Sequence, residues 1–417
     1  MSWGAGKGGY VSFGEARHLA AESVRPLAPR SFGLARLAGL VAAAEARARV
    51  ASPSLTASSK DGYAVVSADL AGAAPESPVS LELAGRLVAG QKAGQAVGRG
   101  QALAITTGAI LPPGADAVLA SEFAREQEGR VLALAPAEPG RNLLRQGADV
   151  APGEVVLAPG QVAAPSLVGL LAAAGVEEVL AHPLPRVGLL ATGREVVAPG
   201  QPLPPGAVFA SNLVTQAAWL RLHGIEAASR VVDDSASLIT GAAGGLLAAS
   251  DILITSGGAW TGERDLVLAA LGELGFRLVF RRVRMGPGKG VALGLVGDKP
   301  VFCLPGGPPS NDMAFLQLAL PACLALAGHR RPGLRLVEAV LDGELVGQED
   351  WTQFWHGRLE QGDGRTRFRA LAFAGRLRAI AGSQAIACLP EGVGRLGPGN
   401  RVSVQVLGPA WSEDGLW

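Results

Sequence analysis

The feature that most constrains the fold is a regular alternation of strand-like and helix-like segments between residues 185 and 330. Short apolar runs that end in glycine or aspartate alternate with longer segments that have helical spacing. The strand-like runs are PRVGLLATG, EAASRVVDD, DILITSGG and PVFCLPGG. Such alternation predicts a doubly wound parallel sheet with helices on both faces. We expect Ser211 or Asn212 to cap the first helix and Gly224 to end it.

Three of the predicted strands end in glycine motifs, ATGRE (191–195), TSGGAWTGERD (255–265) and CLPGGPPSND (303–312). In open parallel sheets, ligands bind beyond the carboxyl ends of the strands. Glycine lets the backbone approach a ligand, and the free N–H groups of a first helical turn favour an anion. Each loop alone could be a tight turn, but the three together predict a pocket for a phosphorylated ligand.

Acidic residues cluster around the same loops. They are Glu195, Asp233, Asp234, Glu263 and Asp265. Carboxylates beside a phosphate site are typical of Mg²⁺ binding, because this cation prefers oxygen ligands and neutralises phosphate charge. The helix dipole alone could favour Glu263 and Asp265, and Asp233 or Asp234 could be a helix N-cap.

A glycine-rich turn at 286–290, GPGKG, resembles a phosphate loop but lacks the GxxxxGK[ST] spacing. Its Lys289 is close in sequence to Arg281, Arg282 and Arg284. The segment could bind an anion or could simply be a solvated basic face.

The pattern of helix-like and strand-like segments along the chain predicts a multidomain α/β protein. Residues 12–50 and 141–180 form a helical and linker domain, with two helices in the first stretch. Residues 51–140 form a small β-domain, 181–330 the α/β domain, and 331–410 a C-terminal β-barrel-like domain.

Composition excludes several classes of function. The chain has 37 lysines and arginines against 36 acidic residues, so it lacks the basic surplus of a general nucleic-acid binder. Its five histidines never pair at metal-ligand spacing, which disfavours a zinc enzyme. Three cysteines without a CxxC motif suit a reducing cytoplasm, and we expect neither a signal peptide nor a membrane span.

An ordered set of motifs resembles one known family, the molybdopterin molybdenumtransferases (the MoeA/gephyrin E-domain family), from about residue 12 to 408. SSKDGYAV (58–65), ITTGAILPPGADAVLASE (105–122) and NLLRQGADV (142–150) are similar to its first three motifs. The α/β motifs then follow in family order, which makes that domain molybdopterin-binding-like.

The resemblance implies that the chain inserts molybdate into adenylyl-molybdopterin with Mg²⁺ and releases AMP. It also implies a cytoplasmic homodimer with a site shared between subunits, and contact with the adenylyltransferase and with apo-molybdoenzymes. By position in the motifs, the implied catalytic residues are Asp61, Thr107, Asp149, Glu195 and Asp265. The implied substrate-binding residues are Gly257, Gly258, Arg284, Lys289, Pro305, Gly306 and Ser310, and the implied metal ligands are Glu195, Asp233 and Asp265.

The chain departs from the family pattern around the same loops. Lys60 replaces a methionine, Gly286 a basic residue, Gly290 a proline and Gly307 an asparagine, while Trp260 brings an indole to the second loop and Arg194 replaces an acid. These changes leave open whether tungstate replaces molybdate. Two other functions also stay open, namely a molybdopterin adenylyltransferase and a non-catalytic pterin-binding scaffold or carrier.

Overall fold

The computed structural model describes residues 9–92, 94–257, 266–362, 364–372 and 377–407. The chain forms two compact units. One unit consists of Met1–Arg30, Gly39–Ala43 and His182–Trp417, and the other of Ser31–Ala38 and Ala44–Ala181. The finer division into four domains stays a prediction.

The smaller unit is built around a six-stranded sheet. All neighbouring strands are antiparallel except Val79–Leu87 and Gln101–Ile105, which are parallel. The strands, in spatial order, are Ala124–Gln127, Arg130–Ala133, Val79–Leu87, Gln101–Ile105, Gly62–Val65 and Ala117–Ala120. Buried Val65, Leu81 and Leu119 form part of its core. The sheet confirms the strand-like texture predicted for this stretch.

Two short antiparallel ladders and one helix also belong to this unit. The ladders pair Ala57–Ser58 with Leu143–Leu144 and Ala46–Arg47 with Val155–Leu157. The helix is Pro165–Ala173, within the stretch 141–180 predicted as helical and linker, and it has proline in its first turn.

Only one of the two helices predicted in residues 12–50 is present, at Phe13–Glu22. The rest of the stretch contains short strands and a 3₁₀ turn, namely Arg30–Gly33, Leu34–Arg36, Val41–Ala42 and Ala46–Arg47. Pro26 and Pro29 lack the N–H group that a helix needs, and Gly39 has a φ of 85°. These residues explain why the second predicted helix does not form.

The α/β sheet of the larger unit has six strands. Four are parallel, as predicted, and run in the spatial order Ala227–Val232, Val187–Thr192, Ile252–Ser256 and Lys299–Leu304. Ala292–Val296 and Arg277–Arg281 extend the sheet as antiparallel strands. The basic segment around Lys289 therefore begins at this edge, because Arg281 is the last residue of the edge strand.

Helices cover both faces of this sheet, which confirms the doubly wound arrangement. Leu189, Ile254 and Phe302 point into one buried cluster, and their neighbours Leu190 and Leu253 point into another. The helices are Ser211–Leu222, Ala236–Ala249, Leu266–Glu273, Pro308–Ala314 and Leu320–Leu326, the last two joined by a π-helical turn at Phe315–Ala319. None of the helices in the described ranges is long and apolar enough to cross a membrane.

The C-terminal part of the same unit closes into the predicted β-barrel. Its ring of strands is Thr352–Gly362, Arg365–Ala370, Leu336–Leu341, Arg401–Val406 and Ala385–Leu389, and the last strand pairs back with the first. Phe368, Leu341 and Val404 fill the interior. Strands Val283–Gly286 and Val11–Ser12 extend one side, and a short helix occupies Leu377–Ala381.

Candidate active site

The predicted strand-end loops meet at one edge of the α/β sheet. Ala191 pairs with Ser256, and Ser256 pairs with Leu304, so three parallel strands end side by side. The N–H of Gly257 donates to the carbonyl of Leu304 over 3.1 Å. The described residues of the three glycine motifs, which were predicted to form one pocket, therefore lie together.

Gly257 occupies a position that only glycine can fill without strain. Its φ is 97°, and a Cβ atom added there would lie 2.7 Å from the carbonyl oxygen of Thr192. This close approach lets the second loop cross directly over the end of the neighbouring strand. Gly258 and Asp265 lie outside the described residues.

The side-chain amides of two asparagines hold the third loop in place. Nδ2 of Asn212 donates to Oγ of Ser256 over 3.0 Å and to the carbonyl of Gly306 over 2.9 Å. Nδ2 of Asn311 donates to the same Oγ over 3.1 Å and to the carbonyl of Pro305 over 2.8 Å. Predicted pocket residues Pro305 and Gly306 are therefore fixed through their backbone carbonyls, although residue 307 is glycine.

Gln216 extends this amide network. Its Nε2 donates to Oδ1 of Asn311 over 2.7 Å, and both residues are 1% exposed. Asn212 and Gln216 are four residues apart, which puts them on one face of their helix. That spacing of two amides in an apolar helix was the signal that the sequence analysis missed. Its interpretation of Ser211 or Asn212 as the N-cap was wrong, because the helix begins at Ser211 and its N-cap, Ala210, makes no side-chain hydrogen bond.

The Lys289 turn packs against the start of the helix Pro308–Ala314. A Cβ atom added to Gly288 would lie 3.3 Å from the carbonyl oxygen of Ser310. Lys289 is exposed, and its carbonyl accepts a hydrogen bond from the N–H of Val283 over 3.0 Å. The structure therefore brings Lys289 and Ser310 into the same neighbourhood, as their assignment to one pocket requires.

Arg284 has a different environment from Lys289. Its Nη2 lies 3.2 Å from Oε2 of Glu391, and both side chains are about three-quarters buried. Nη1 also donates to the carbonyl of Tyr10. This guanidinium is committed to an ion pair, so its contact with substrate stays a prediction.

Two predicted metal ligands follow adjacent parallel strands. Glu195 and Asp233 are both exposed, and Gly193 donates to the carbonyl of Val232 between them. Nε of Arg194 lies 4.0 Å from Oδ1 of Asp233, a solvent-exposed ion pair that contributes little stability. Carboxylate oxygens suit Mg²⁺, which is commonly bound by one or two carboxylates together with substrate phosphates. Within the described ranges no three metal-ligating side chains cluster, and the third predicted ligand, Asp265, lies outside them.

In the smaller unit, Asp61 and Thr107 form a local pair. Oδ1 of Asp61 accepts hydrogen bonds from the N–H of Thr107 over 2.6 Å and from its Oγ1 over 2.9 Å. These bonds, the backbone one first, lower the pKa of the exposed carboxyl below its usual value. The adjacent Gly62 is obligatory, because a Cβ atom there would lie 2.1 Å from the carbonyl oxygen of Leu119.

Asp149 lies on a separate turn of the smaller unit. Its Oδ2 accepts a hydrogen bond from Oγ of Ser52 over 3.3 Å, and its N–H donates to the carbonyl of Ser52 over 2.9 Å. The structure gives no direct contact between Asp149 and either Asp61 or Thr107, so its catalytic role stays a prediction.

Comparisons with known proteins find similarity along most of the chain. Residues 11–175 match the MoeA N-terminal region (domain I and II), and residues 188–325 match a probable molybdopterin binding domain. Molybdopterin molybdenumtransferase 2 of Mycobacterium tuberculosis is 32% identical over 94% of this chain and 98% of its own length. The molybdopterin molybdenumtransferase of Haemophilus influenzae is 30% identical over 85% of this chain and 87% of its own.

Among solved structures, a MoeA molybdopterin biosynthesis protein from Pyrococcus horikoshii superposes with a TM-score of 0.79. It is 27% identical, and the match covers 95% of this chain and 99% of that one. A relative more than 30% identical along nearly the whole chain establishes the family. The chain belongs to the molybdopterin molybdenumtransferase family.

Proposed function

We propose that this protein inserts molybdenum into adenylyl-molybdopterin in a Mg²⁺-dependent reaction that releases AMP. The observation that carries the proposal is the convergence of glycine loops at the ends of three parallel strands, held by Asn212 and Asn311. Glycine loops at such an edge let the backbone approach phosphate oxygens, and Lys289 adds positive charge near Ser310.

Glu195, Asp233 and Asp265 would hold the Mg²⁺. When bound there, this cation would neutralise charge on the phosphate oxygens of the substrate. The carboxylates would then meet a phosphorylated ligand without net repulsion, which gives a reason for acids beside anion-binding loops.

Asp61 contributes a carboxylate that stays ionised at neutral pH. Its lowered pKa makes it a weak base, so we assign it the role of accepting a hydrogen bond from a reacting group rather than removing a proton. Thr107 orients it through two hydrogen bonds. We further propose a homodimer in which Asp61 of one subunit completes the site of the other. A monomeric mass by light scattering at micromolar concentration would contradict that arrangement.

AMP release from adenylyl-molybdopterin by the purified protein tests the function. We expect release that requires both Mg²⁺ and molybdate, and a parallel titration with tungstate identifies the preferred oxyanion. Pyrophosphate release from ATP and molybdopterin would instead indicate an adenylyltransferase. Tight binding of adenylyl-molybdopterin without release would indicate a scaffold or carrier.

A further inference from the structure

Asp312 and His356 form a buried pair next to the third loop. Asp312 belongs to the helix Pro308–Ala314, and His356 belongs to the barrel strand Thr352–Gly362. They are 8% and 2% exposed, and Oδ2 of Asp312 lies 3.6 Å from Nε2 of His356. The proposed chemistry assigns no role to either residue.

The hydrogen bonds around His356 fix where its proton lies. Oγ of Ser383 donates its single hydrogen to the carbonyl of Ile380 over 2.7 Å. The same oxygen lies 3.1 Å from Nδ1 of His356, and it can therefore only accept there. Nδ1 must carry a hydrogen, so Nε2 of the neutral ring presents a lone pair towards Asp312.

Asp312 has no alternative partner among the described residues. Its carboxyl group makes no ion pair with lysine or arginine, and Nε2 of His356 has no hydrogen-bond partner. An ionised carboxylate facing a lone pair in a buried site is costly, whereas a protonated one can donate to that lone pair after a shift of a few tenths of an ångström. One proton between the two groups satisfies both.

Charges on the surrounding elements do not change the protonation expected for Asp312 and His356. Burial alone raises the pKa of Asp312 to about 6, and burial alone lowers the pKa of His356 to about 4. Burial also raises the pKa of the Cys388 thiol on the neighbouring strand to about 11, so that group is uncharged. Two further charged residues on the described flanking elements are half-buried and paired elsewhere, Arg284 with Glu391 and Lys299 with the carbonyl of Leu247. The remaining ones are exposed, namely Arg221, Arg358, Glu360, Arg365, Arg367, Arg369 and Arg378.

The position of the pair connects it to the loop. Asp312 directly follows Asn311, whose amide holds Ser256 and the carbonyl of Pro305. A hydrogen bond from residue 312 to the barrel therefore fixes the helix turn that presents Asn311. We infer that the protonated carboxyl group of Asp312 donates a hydrogen bond to Nε2 of His356. We also infer that this uncharged pair positions the Pro305–Ser310 loop.

The first test is the side-chain ¹⁵N spectrum of His356 in the full-length protein at pH 5. We expect a neutral ring with a protonated Nδ1 and an unprotonated, hydrogen-bonded Nε2. An imidazolium signal, or a ring protonated at Nε2, would overturn the assignment of the proton. This test does not depend on the proposed function.

The second test compares Asp312→Asn with wild type across the pH range. A carboxyl whose pKa is raised by folding stabilises the fold while protonated, and this contribution is lost as the pH rises through about 6. The side-chain amide of the variant donates without titrating, so the variant should gain stability relative to wild type between about pH 4 and 6. The exposed control Asp298→Asn should show no such change. A pH-independent difference for Asp312→Asn would contradict the inference.

The positioning role rests on the proposed function, because it assumes that the loop contacts adenylyl-molybdopterin. At pH 5, where Asp312 keeps its proton, Asp312→Ala should raise KM for AMP release several-fold while kcat changes little, and Asp312→Asn should restore KM. A purely structural role would lower the active fraction without moving KM, and would overturn positioning. If wild type released no AMP, the proposed function would fail, whereas the spectrum and pH profile would still decide the pairing.

Discussion

Two carboxyl groups in this protein have opposite surroundings. Asp61 is exposed on a turn and accepts two hydrogen bonds from Thr107, and its pKa is lowered. Asp312 is buried on a helix, no lysine or arginine of the described residues pairs with it, and its pKa is raised to about 6. Hydrogen bonds to the charged form dominate in the first case and desolvation in the second. An exposed acid can therefore supply charge for chemistry, while a buried acid serves to hold structure.

The same contrast separates the two regions that carry these acids. The Asp61 turn depends on one local pair, and the Ser256–Asn311 region depends on a buried network of amides. We therefore expect substitutions in the turn to change activity more than stability. Substitutions in the network should change stability and activity together.

The largest expected effect is on turnover. Asp61→Ala should reduce AMP release at least about 100-fold, because an oriented charge at a reaction centre is commonly worth that much. Its side chain is exposed, so the thermal midpoint should stay close to that of wild type. Steady-state AMP release and a thermal melt on the same preparation measure both effects.

Thr107 provides the matched control for Asp61. Thr107→Ser keeps the hydroxyl that donates to Oδ1 and should retain most of the activity, whereas Thr107→Ala should lose part of it. Full activity of Asp61→Ala would remove its assigned role and, with it, the contrast between the two regions.

A second prediction concerns the amide network. Asn311→Ala removes hydrogen bonds to Ser256, Pro305 and Gln216 and leaves buried groups unpaired. The free energy of unfolding should fall by about 2–4 kcal/mol, since each unpaired buried group costs about 1–3 kcal/mol with partial relaxation. Chemical denaturation measures this loss.

Asn400 is the corresponding surface control. Its Nδ2 donates to the carbonyl of Gly397 on an exposed turn. Asn400→Ala should change the unfolding free energy by no more than about 0.5 kcal/mol. Similar losses for both variants would show that the network around Asn311 contributes no more stability than an exposed side-chain hydrogen bond.

The sequence predicted those parts of the site that follow from chain periodicity. Strand-helix alternation located the ends of the strands that carry Thr192, Ser256 and Leu304, and parallel pairing then required these ends to meet. Thr107 and Asp61 were assigned from motifs, and their contact is visible only in the structure.

Long-range side-chain contacts were beyond that reasoning. Asn212 reaches a loop 94 residues away, and Arg284 pairs with a glutamate 107 residues away. The second helix predicted before residue 50 is absent because two prolines interrupt that stretch. The absence of that helix does not change the α/β sheet, whose register is set by buried apolar strands.

The smallest expected effect concerns Gly257. It tests whether backbone geometry at the strand end contributes to stability independently of the amide network around Asn311. Gly257→Ala forces a side chain into a conformation with φ of 97° and places its Cβ 2.7 Å from the Thr192 carbonyl. We expect a loss of about 1–3 kcal/mol in unfolding free energy, together with weaker substrate binding as the second loop moves. Gly241→Ala is the matched control, because it lies inside the helix Ala236–Ala249 with open space around its Cβ. That change should stabilise the protein by up to about 1 kcal/mol, so opposite signs for the two variants would separate strand-end strain from a general intolerance of added methyl groups.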